Sequence, residues 1–474
     1  MKNNIYKIIA LMGFFFILAC EDTLDETVYS ELTPDTVLTS ESGIQSSLNA
    51  AYSNANLESF DGYVAYHYLS GMTSGEVWNR GGSIEVWFTA LTDFSWDSNH
   101  RYVLGIWTDL YQANRDANIV LDNINNDIFT LSFKESITAQ ANFIRGWSYS
   151  ELYNLFGTVP LYKSSSDPVL IPRASEKELK EFIESELIAA SEKLPIKSDA
   201  YGKATKGAAL AILTKFYLNT KRWNDVLDIT DDIMKLGTYK LEANYRDVFS
   251  LSNEGNSEIL WAMPKVAPAA SQNINALIFP TDYPLPYSNN NVFAAKTYMF
   301  DDFVESFDQS DERRELIVTE YTNVSGSFIS LLGNDQSLPL KYEFDPNSAG
   351  AAASNDIPVV RYADILLSRA EALNEVNGPN QESIDLLNQI RNRSKVSSIE
   401  LGNFSKESLR EFILIERQKE FFFEGKRRED QIRHGVFISE AQKRGKSAQD
   451  FHKIFAIPQI EIDSNPQITQ NEGY

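Results

Sequence analysis

The fold is decided by the stretch YADILLSRAEALNEVNGPNQESIDLLNQIRNR, residues 362–393. Apolar residues recur every three or four positions on both sides of Gly378-Pro379, which predicts two helices, 362–376 and 381–393. The short break between them makes the pair a helical hairpin, in which small side chains allow close approach. A hairpin of about 34 residues is typical of tetratricopeptide-like repeats.

A similar hairpin is predicted earlier in the chain, from helices over 206–218 and 223–236 joined by a four-residue turn. In both hairpins, small residues occupy the expected crossing points: Ala208, Ala209, Ala211, Ala370 and Ala372. Helical periodicity extends over four further segments: 104–124, 137–156, 176–194 and 405–425. We therefore expect a mostly α fold on a tetratricopeptide-like helical-repeat scaffold, with a generic helical domain as the alternative.

Two segments do not follow the helical pattern. Residues 62–99 are rich in Gly, Trp and Ser, and residues 259–358 are rich in Pro, Asn and Tyr, with a strand-like piece at 327–332. Their aromatic content argues against disorder, because disordered segments are poor in aromatic residues. Long irregular segments within a compact protein are usually functional. We interpret both as a loop-rich ligand-binding subdomain within one domain, residues 37–474.

The N-terminus has the features of an export signal. Two lysines are followed by an apolar run over 8–19, which is shorter than the roughly 20 residues that span a bilayer. The run ends at Ala19-Cys20 and resembles a lipobox, in which the cysteine is acylated after cleavage. We therefore predict a signal peptide over 1–19, a lipid on Cys20 and a tether over 20–36, with an ordinary signal peptide as the alternative.

Cys20 is the only cysteine of the 474 residues, so disulfides are excluded. The formal net charge of −23 argues against nucleic acid or an anionic lipid surface as a partner, and suits a neutral ligand. The four histidines are scattered without the spacing of metal ligands. No motif indicates a cofactor or a catalytic residue, so we predict neither, and no metal.

Four stretches together resemble the SusD/RagB family of nutrient-binding outer-membrane lipoproteins. They are ANFIRGWSYSELYNLFGTVPL (141–161), RYADILLSRAEALNE (361–375), IERQKEFFFEGKR (415–427) and IPQIEIDSNPQITQNEGY (457–474). The chain departs from the family pattern at Glu472, where Pro is usual, and at 428–431, which lacks the usual aromatic. The charged residues of these stretches alternate in sign on predicted helices, so we expect them to hold the scaffold. They are Arg361, Glu371, Glu416, Arg417, Glu420, Glu424 and Arg427.

The resemblance implies a function and a location. Members of this family are non-catalytic lipoproteins of the outer membrane that deliver oligosaccharide to a TonB-dependent transporter of the SusC type, and the acidic tether after Cys20 resembles a surface-export signal. We therefore expect a cell-surface protein that binds oligo- or polysaccharide. The main alternative is a peptide-binding protein of the same fold. Two further hypotheses, from other functional classes, are a hydrolase and a scaffold that assembles other proteins.

The first candidate site is the segment 73–82, which is polar and glycine-rich around Trp78. An exposed indole can cover the C–H face of a sugar ring, and Glu76, Asn79 and Arg80 can bond to hydroxyl groups. The resemblance implies that the equivalent stretch lies at the ligand surface of the family.

Two nearby tryptophans and a later loop complete the predicted site. Trp87 and Trp96 are further candidate contacts, but both lie among alternating apolar residues, which favours core packing for them. In the segment 281–291, prolines keep the chain extended, and Tyr283, Tyr287 and Asn290 are the candidate contacts, with an ordinary Pro-rich loop as the alternative.

The lipid anchor can be tested separately from ligand binding. A Cys20→Ala variant should be lost from the membrane fraction, because it has no thiol to acylate, but should still bind ligand in solution. Cell fractionation followed by immunoblotting measures the first effect. If the variant stays in the membrane fraction, the anchor is not Cys20.

Overall fold

The computed structural model describes residues 38–198 and 200–474, and helices dominate these ranges, which confirms the predicted mostly α class. The predicted signal peptide, Cys20 and the tether lie outside the described residues. Among the described helices, none combines the length and apolar character needed to cross a bilayer. In chain order the helices are α1 (Glu41–Ala55), α2 (Phe60–Ser74), α3 (Glu85–Asp93), α4 (Arg101–Asn123), α5 (Leu131–Phe156), α6 (Glu176–Lys193), α7 (Lys206–Asn219), α8 (Trp223–Lys235), α9 (Ile274–Ile278), α10 (Asp301–Glu305), α11 (Tyr362–Asn377), α12 (Gln381–Arg393), α13 (Lys406–Phe421), α14 (Arg427–Arg433), α15 (Phe437–Lys443) and α16 (Gln459–Ser464).

The strands are short and form antiparallel pairs. They are β1 (Val77–Arg80), β2 (Ile259–Met263), β3 (Lys296–Met299), β4 (Ile317–Val318), β5 (Glu320–Thr322), β6 (Phe328–Ser330), β7 (Leu338–Pro339) and β8 (Ile357–Arg361). Strand β1 pairs with β3, β2 with β8, β4 with β7, and β5 with β6. The predicted strand at 327–332 is the shorter β6. Because no pair within residues 38–198 and 200–474 extends into a larger sheet, the strands fix local loops and do not form a layer of their own.

Helix α5 is the centre of the N-terminal part of the fold and packs against α1, α4 and α6. The Thr130 side chain accepts from the Phe133 amide and caps its start, and Gly157 ends it with a positive φ of 73°. Trp147 in its middle is fully buried and donates its indole N–H to the Ala55 carbonyl at 3.1 Å. That bond fixes the end of α1 against α5.

The two predicted hairpins are formed by α7 with α8 and by α11 with α12, and α8 packs against α11 so that the hairpins lie side by side. The alanines at the crossing points are all buried. Asn380 begins α12 with a capping box that includes Ser383. The detailed assignment to tetratricopeptide-like repeats stays a prediction.

The segment 62–99 is more regular than we expected, since α2, β1 and α3 occupy most of it. Two of its five glycines lie inside α2, where they permit close approach, and the other three lie in the turns on either side of β1. A Cβ at Gly62 would overlap the Asp109 carboxylate, and one at Gly71 would come within 2.9 Å of Val77 Cγ2. Glycine here serves helix packing, a role that local composition does not distinguish from a loop. Residues 259–358, by contrast, contain only short strands and helices joined by irregular segments.

A group of fully buried ion pairs lies where β8 becomes α11. Arg361 has no exposed surface; its guanidinium contacts Glu258, Glu420 at 3.1 Å and Glu424 at 2.8 Å. Burial alone would raise the pKa of Glu420, but Arg393 and Arg361 lower it to about 2. Arg361 and Glu420 are therefore both charged in the folded protein. Their buried ion pair confirms the structural role predicted for these two residues.

Neighbouring pairs extend this network through α11, α13 and α14. Arg417 contacts Asp364 at 2.8 Å and Asp430 at 2.9 Å, while Arg433 contacts Glu371 at 2.6 Å. All of these side chains are buried. The charged residues of the family-like stretches thus tie helices together inside the protein.

Replacing Arg361 should destabilise the protein strongly. In Arg361→Met three carboxylates lose a buried cation, and we expect the free energy of unfolding to fall by about 3–5 kcal/mol, measured by urea denaturation. The control is Lys163→Met, whose partner Glu178 lies 2.8 Å away in a half-exposed pair. That change should cost less than about 1 kcal/mol. Equal losses in the two variants would contradict the importance of the buried network.

Candidate ligand-binding surface

Strand pairing fixes the first predicted site segment against β3. In the β1–β3 register, Trp78 lies opposite Tyr298 and Arg80 lies opposite Lys296. The half-buried Trp78 ring is 5.1 Å from the Tyr298 ring, and its indole N–H donates to the Asp335 carbonyl at 2.7 Å. The indole is therefore held in one orientation, and Arg80 extends into solvent at the strand end.

The second segment packs on the β5–β6 hairpin. The Tyr283 ring lies 5.0 Å from Tyr321 and 4.6 Å from Phe279. The Tyr321 hydroxyl donates to the Asp282 carboxylate at 2.9 Å. Tyr283 and Tyr321 are both half-buried, so each presents an edge or part of a face to solvent.

Tyr298 joins the two segments. Burial raises the pKa of its hydroxyl, Arg80 lowers it, and Asp282 raises it. The hydroxyl thus lies within the fields of a cation from the first segment and a carboxylate from the second. The Tyr298 side chain is only 5% exposed, so it supports the neighbouring rings from beneath the surface. We call Trp78, Tyr283 and Tyr321, with the supporting Tyr298 and with Arg80 and Asp282 beside them, the aromatic platform.

Several predicted contacts lie elsewhere. Trp96 is only 4% exposed and donates its indole N–H to the Tyr474 hydroxyl at 2.8 Å, so it belongs to the core. Asn79 is buried and donates to the Lys296 carbonyl at 2.8 Å. Glu76 is 1% exposed. Glu76 and Asn79 were predicted to contact ligand, and Trp96 was a candidate for which core packing was favoured; the burial of all three corrects the predicted contacts. For Asn79 the reason is that alternate residues of β1 face opposite sides.

The remaining predicted residues divide between surface and scaffold. Trp87 is half-buried, and its ring lies edge-on against His100, 5.5 Å away. Tyr287 is 42% exposed and stays a candidate contact. Asn290 donates to the Asp345 carbonyl at 2.8 Å and to Ser348 Oγ at 2.7 Å. Its N–H groups hold the loop, while its Oδ1 atom has no hydrogen-bond partner among the described residues, so the predicted ligand contact of Asn290 stays a prediction.

Sequence reasoning missed Tyr298 and Tyr321. Tyr298 follows a lysine and a threonine in a strand-like piece, and Tyr321 precedes a turn, so neither stands out locally. Their position depends on the pairing of β3 with β1 and of β5 with β6, which joins residues about two hundred positions apart in the first case. No local pattern reports such a pairing.

The platform has the chemistry of a shallow binding surface. Ring faces and edges offer apolar area, while Arg80 and Asp282 offer a donor and an acceptor at the margin. Within residues 38–198 and 200–474, no three His, Cys, Asp or Glu side chains are grouped to hold a metal ion. The arrangement therefore suits a ligand with a flat C–H face and polar groups around its rim.

Two family profiles match the chain. The family described as "SusD family" matches residues 341–474, and the one described as "Starch-binding associating with outer membrane" matches residues 22–218. A SusD-like protein of Formosa agariphila is 26% identical and covers 98% of this chain and 99% of its own. The starch-binding protein SusD of Bacteroides thetaiotaomicron is 22% identical, covering 81% of each chain.

Solved structures share the fold. A SusD homolog from Bacteroides thetaiotaomicron superposes with a TM-score of 0.80 at 23% identity, covering 92% of this chain and 97% of its own. Surface glycan-binding protein A from the same organism, in complex with laminarihexaose, gives a TM-score of 0.78 at 20% identity, covering 90% and 98%. Both similarities extend through the helices and the loop-rich segment alike.

Glu76 should affect stability in a pH-dependent way and should not affect binding directly. Burial raises its pKa to about 7 from 4.5, although the Phe423 backbone and the Lys341 charge oppose the shift. A raised carboxyl pKa means that wild-type stability falls as pH rises between these values. We therefore expect Glu76→Gln to be more stable than wild type by up to roughly 3 kcal/mol at about pH 8, and similar at about pH 4.

Thermal and urea unfolding at both pH values measure this difference. The control is Glu181→Gln, because the Glu181 side chain is 65% exposed on α6. It should show no pH-dependent difference from wild type. A Glu76→Gln effect that is the same at both pH values would contradict the raised pKa.

Proposed function

The chain belongs to the SusD family, and on that premise we propose that it is a non-catalytic glycan-binding lipoprotein of the outer membrane. Its ligand in this proposal is a neutral oligo- or polysaccharide captured on the aromatic platform. The glycan then passes to a TonB-dependent transporter of the SusC type, and the lipid on Cys20 keeps the protein beside that transporter on the cell surface.

The observation that carries the proposal is the aromatic platform. Trp78 is fixed by its bond to the Asp335 carbonyl and by packing on Tyr298, so its ring needs no reordering when a ligand arrives. A rigid ring loses little conformational entropy on binding, which favours affinity on a shallow surface. Arg80 and Asp282 can bond to sugar hydroxyls at either side.

Charge favours a neutral ligand over an anionic one. The chain carries 66 acidic against 43 basic residues, so a polyanionic glycan would meet long-range repulsion. Two similar proteins are also associated with neutral glycans: one is named a starch-binding protein, and one structure holds laminarihexaose. These names describe the relatives, and they support glycans as the ligand class for this chain.

Removing the central ring should abolish most of the binding. In Trp78→Ala we expect at least about tenfold weaker retention of the bound glycan, because a buried aromatic anchor carries a large share of the binding free energy. Arg80→Ala should weaken retention less. Affinity gel electrophoresis with laminarin, soluble starch, xylan and galactomannan measures both effects.

Trp223→Ala is the matched control, because Trp223 is also half-buried but begins α8, away from the platform. It should be retained like wild type. If folded wild-type protein is retained by no glycan and instead binds mixed peptides from a protein digest, the ligand class is wrong. If a glycan is retained equally by Trp78→Ala, the platform is not the site.

A further inference from the structure

A second concave feature shares no residue with the aromatic platform. It has a volume of about 470 Å³ and is lined by α4, the loop around 160–170, and α16 with the residues that follow it. Small-molecule sites typically enclose about 300–1,000 Å³. The space is therefore sufficient for a small ligand, and we call it the α4 pocket.

One wall of the α4 pocket is aromatic and rigid. The rings of Trp107 and Tyr111 lie 4.7 Å apart, and those of Tyr111 and Tyr162 lie 6.0 Å apart. The Tyr111 hydroxyl donates to the Pro160 carbonyl at 2.8 Å, and the Tyr162 hydroxyl donates to the Val169 carbonyl at 2.7 Å. Both tyrosine rings are thus held in place before any ligand binds.

An unused hydrogen-bond acceptor lies in the same wall. Asn114 is 1% exposed, and its side-chain N–H group donates to the Tyr162 carbonyl at 3.0 Å. Its Oδ1 atom has no hydrogen-bond partner among the described residues. A buried acceptor without a partner costs free energy, which a ligand hydroxyl can recover by donating to it. Thr108 and Gln112 add polar groups along α4.

The charged residues of the pocket do not form an anion site. Arg115 is the one basic residue in the lining, and it pairs with Asp116 at 3.1 Å. Asp167 accepts from the Lys163 and Ser164 amides and so closes its own loop. At the margin, Val169 is 82% exposed and gives apolar surface beside the rings. Aromatic and apolar walls that also present the unpaired Asn114 Oδ1 atom and the Glu461 carboxylate suit a neutral, hydroxylated ring.

We propose that the α4 pocket binds the end of a neutral saccharide, one or two pyranose rings long, as a second site independent of the aromatic platform. The Tyr111 and Tyr162 rings would cover the C–H face of the sugar, and Asn114 Oδ1 would accept from a hydroxyl. In this proposal, only the choice of a saccharide as the ligand depends on the proposed function. A pocket for chain ends, together with a shallow platform for chain interiors, would hold one polysaccharide at two points and increase its residence time.

Short saccharides separate the two sites, because a disaccharide fills the pocket but covers little of the platform. Isothermal titration with maltose, laminaribiose and cellobiose, each up to tens of millimolar, is the measurement. We expect one of them to bind wild type and Trp78→Ala with equal affinity. Thr108→Trp and Gln112→Trp fill the pocket from the surface of α4 and should weaken that binding at least tenfold.

Lys177→Trp is the control, since it adds the same side chain at a position of α6 that is 83% exposed in its side chain. It should bind as wild type, and thermal melts check that every variant is folded. The pocket is refuted if both filling variants bind the disaccharide as wild type does. It is also refuted if polysaccharide is retained but no disaccharide binds. Disaccharide binding without polysaccharide retention would instead support the pocket and overturn the platform.

Discussion

The fold is constrained above all by the ion pairs of Arg361. Its guanidinium has no exposed surface and lies among three glutamates. Its partners come from three places: Glu258 precedes β2, while Glu420 and Glu424 lie at the end of α13 and just beyond it. A charge so deep in the protein is tolerated only when its partners are in place. Folding must therefore bring the hairpins and the loop-rich segment together.

The position of Arg361 also fixes β8, the strand that ends at this residue. Strand β8 pairs with β2, and Trp261 on β2 packs edge-on against Trp147 and Phe143 of α5, with ring centroids 4.8 and 4.9 Å away. Lys341, from the loop-rich segment, donates to the Phe422 carbonyl at 2.7 Å. A segment with little secondary structure is thus fixed at several points, and such fixing allows irregular loops to carry a rigid surface.

The platform and the α4 pocket use this scaffold in different ways. The platform assembles rings from strands that are distant in sequence, so its shape depends on tertiary pairing. The pocket is built mainly on one long helix, α4, which the 160–170 loop and α16 cover. In both, hydroxyl or indole groups of the aromatic side chains bond to backbone carbonyls, which orients the rings and leaves their faces for a ligand.

The helical hairpins and the scaffold role of the charged residues followed from the sequence alone, and the sequence also picked out Trp78 and Arg80 as candidate contacts. Helical period, caps and breaks are local properties, and residues three or four apart report them directly. It misjudged 62–99, because glycine that permits close helix packing looks like glycine in a loop. It also assigned Glu76 and Asn79 to the surface. Their burial, the packing of Trp78 on Tyr298 and the packing of Tyr283 on Tyr321 came from tertiary contacts that no local pattern reports; on β1, for example, the inward orientation of Asn79 depends on the pairing with β3.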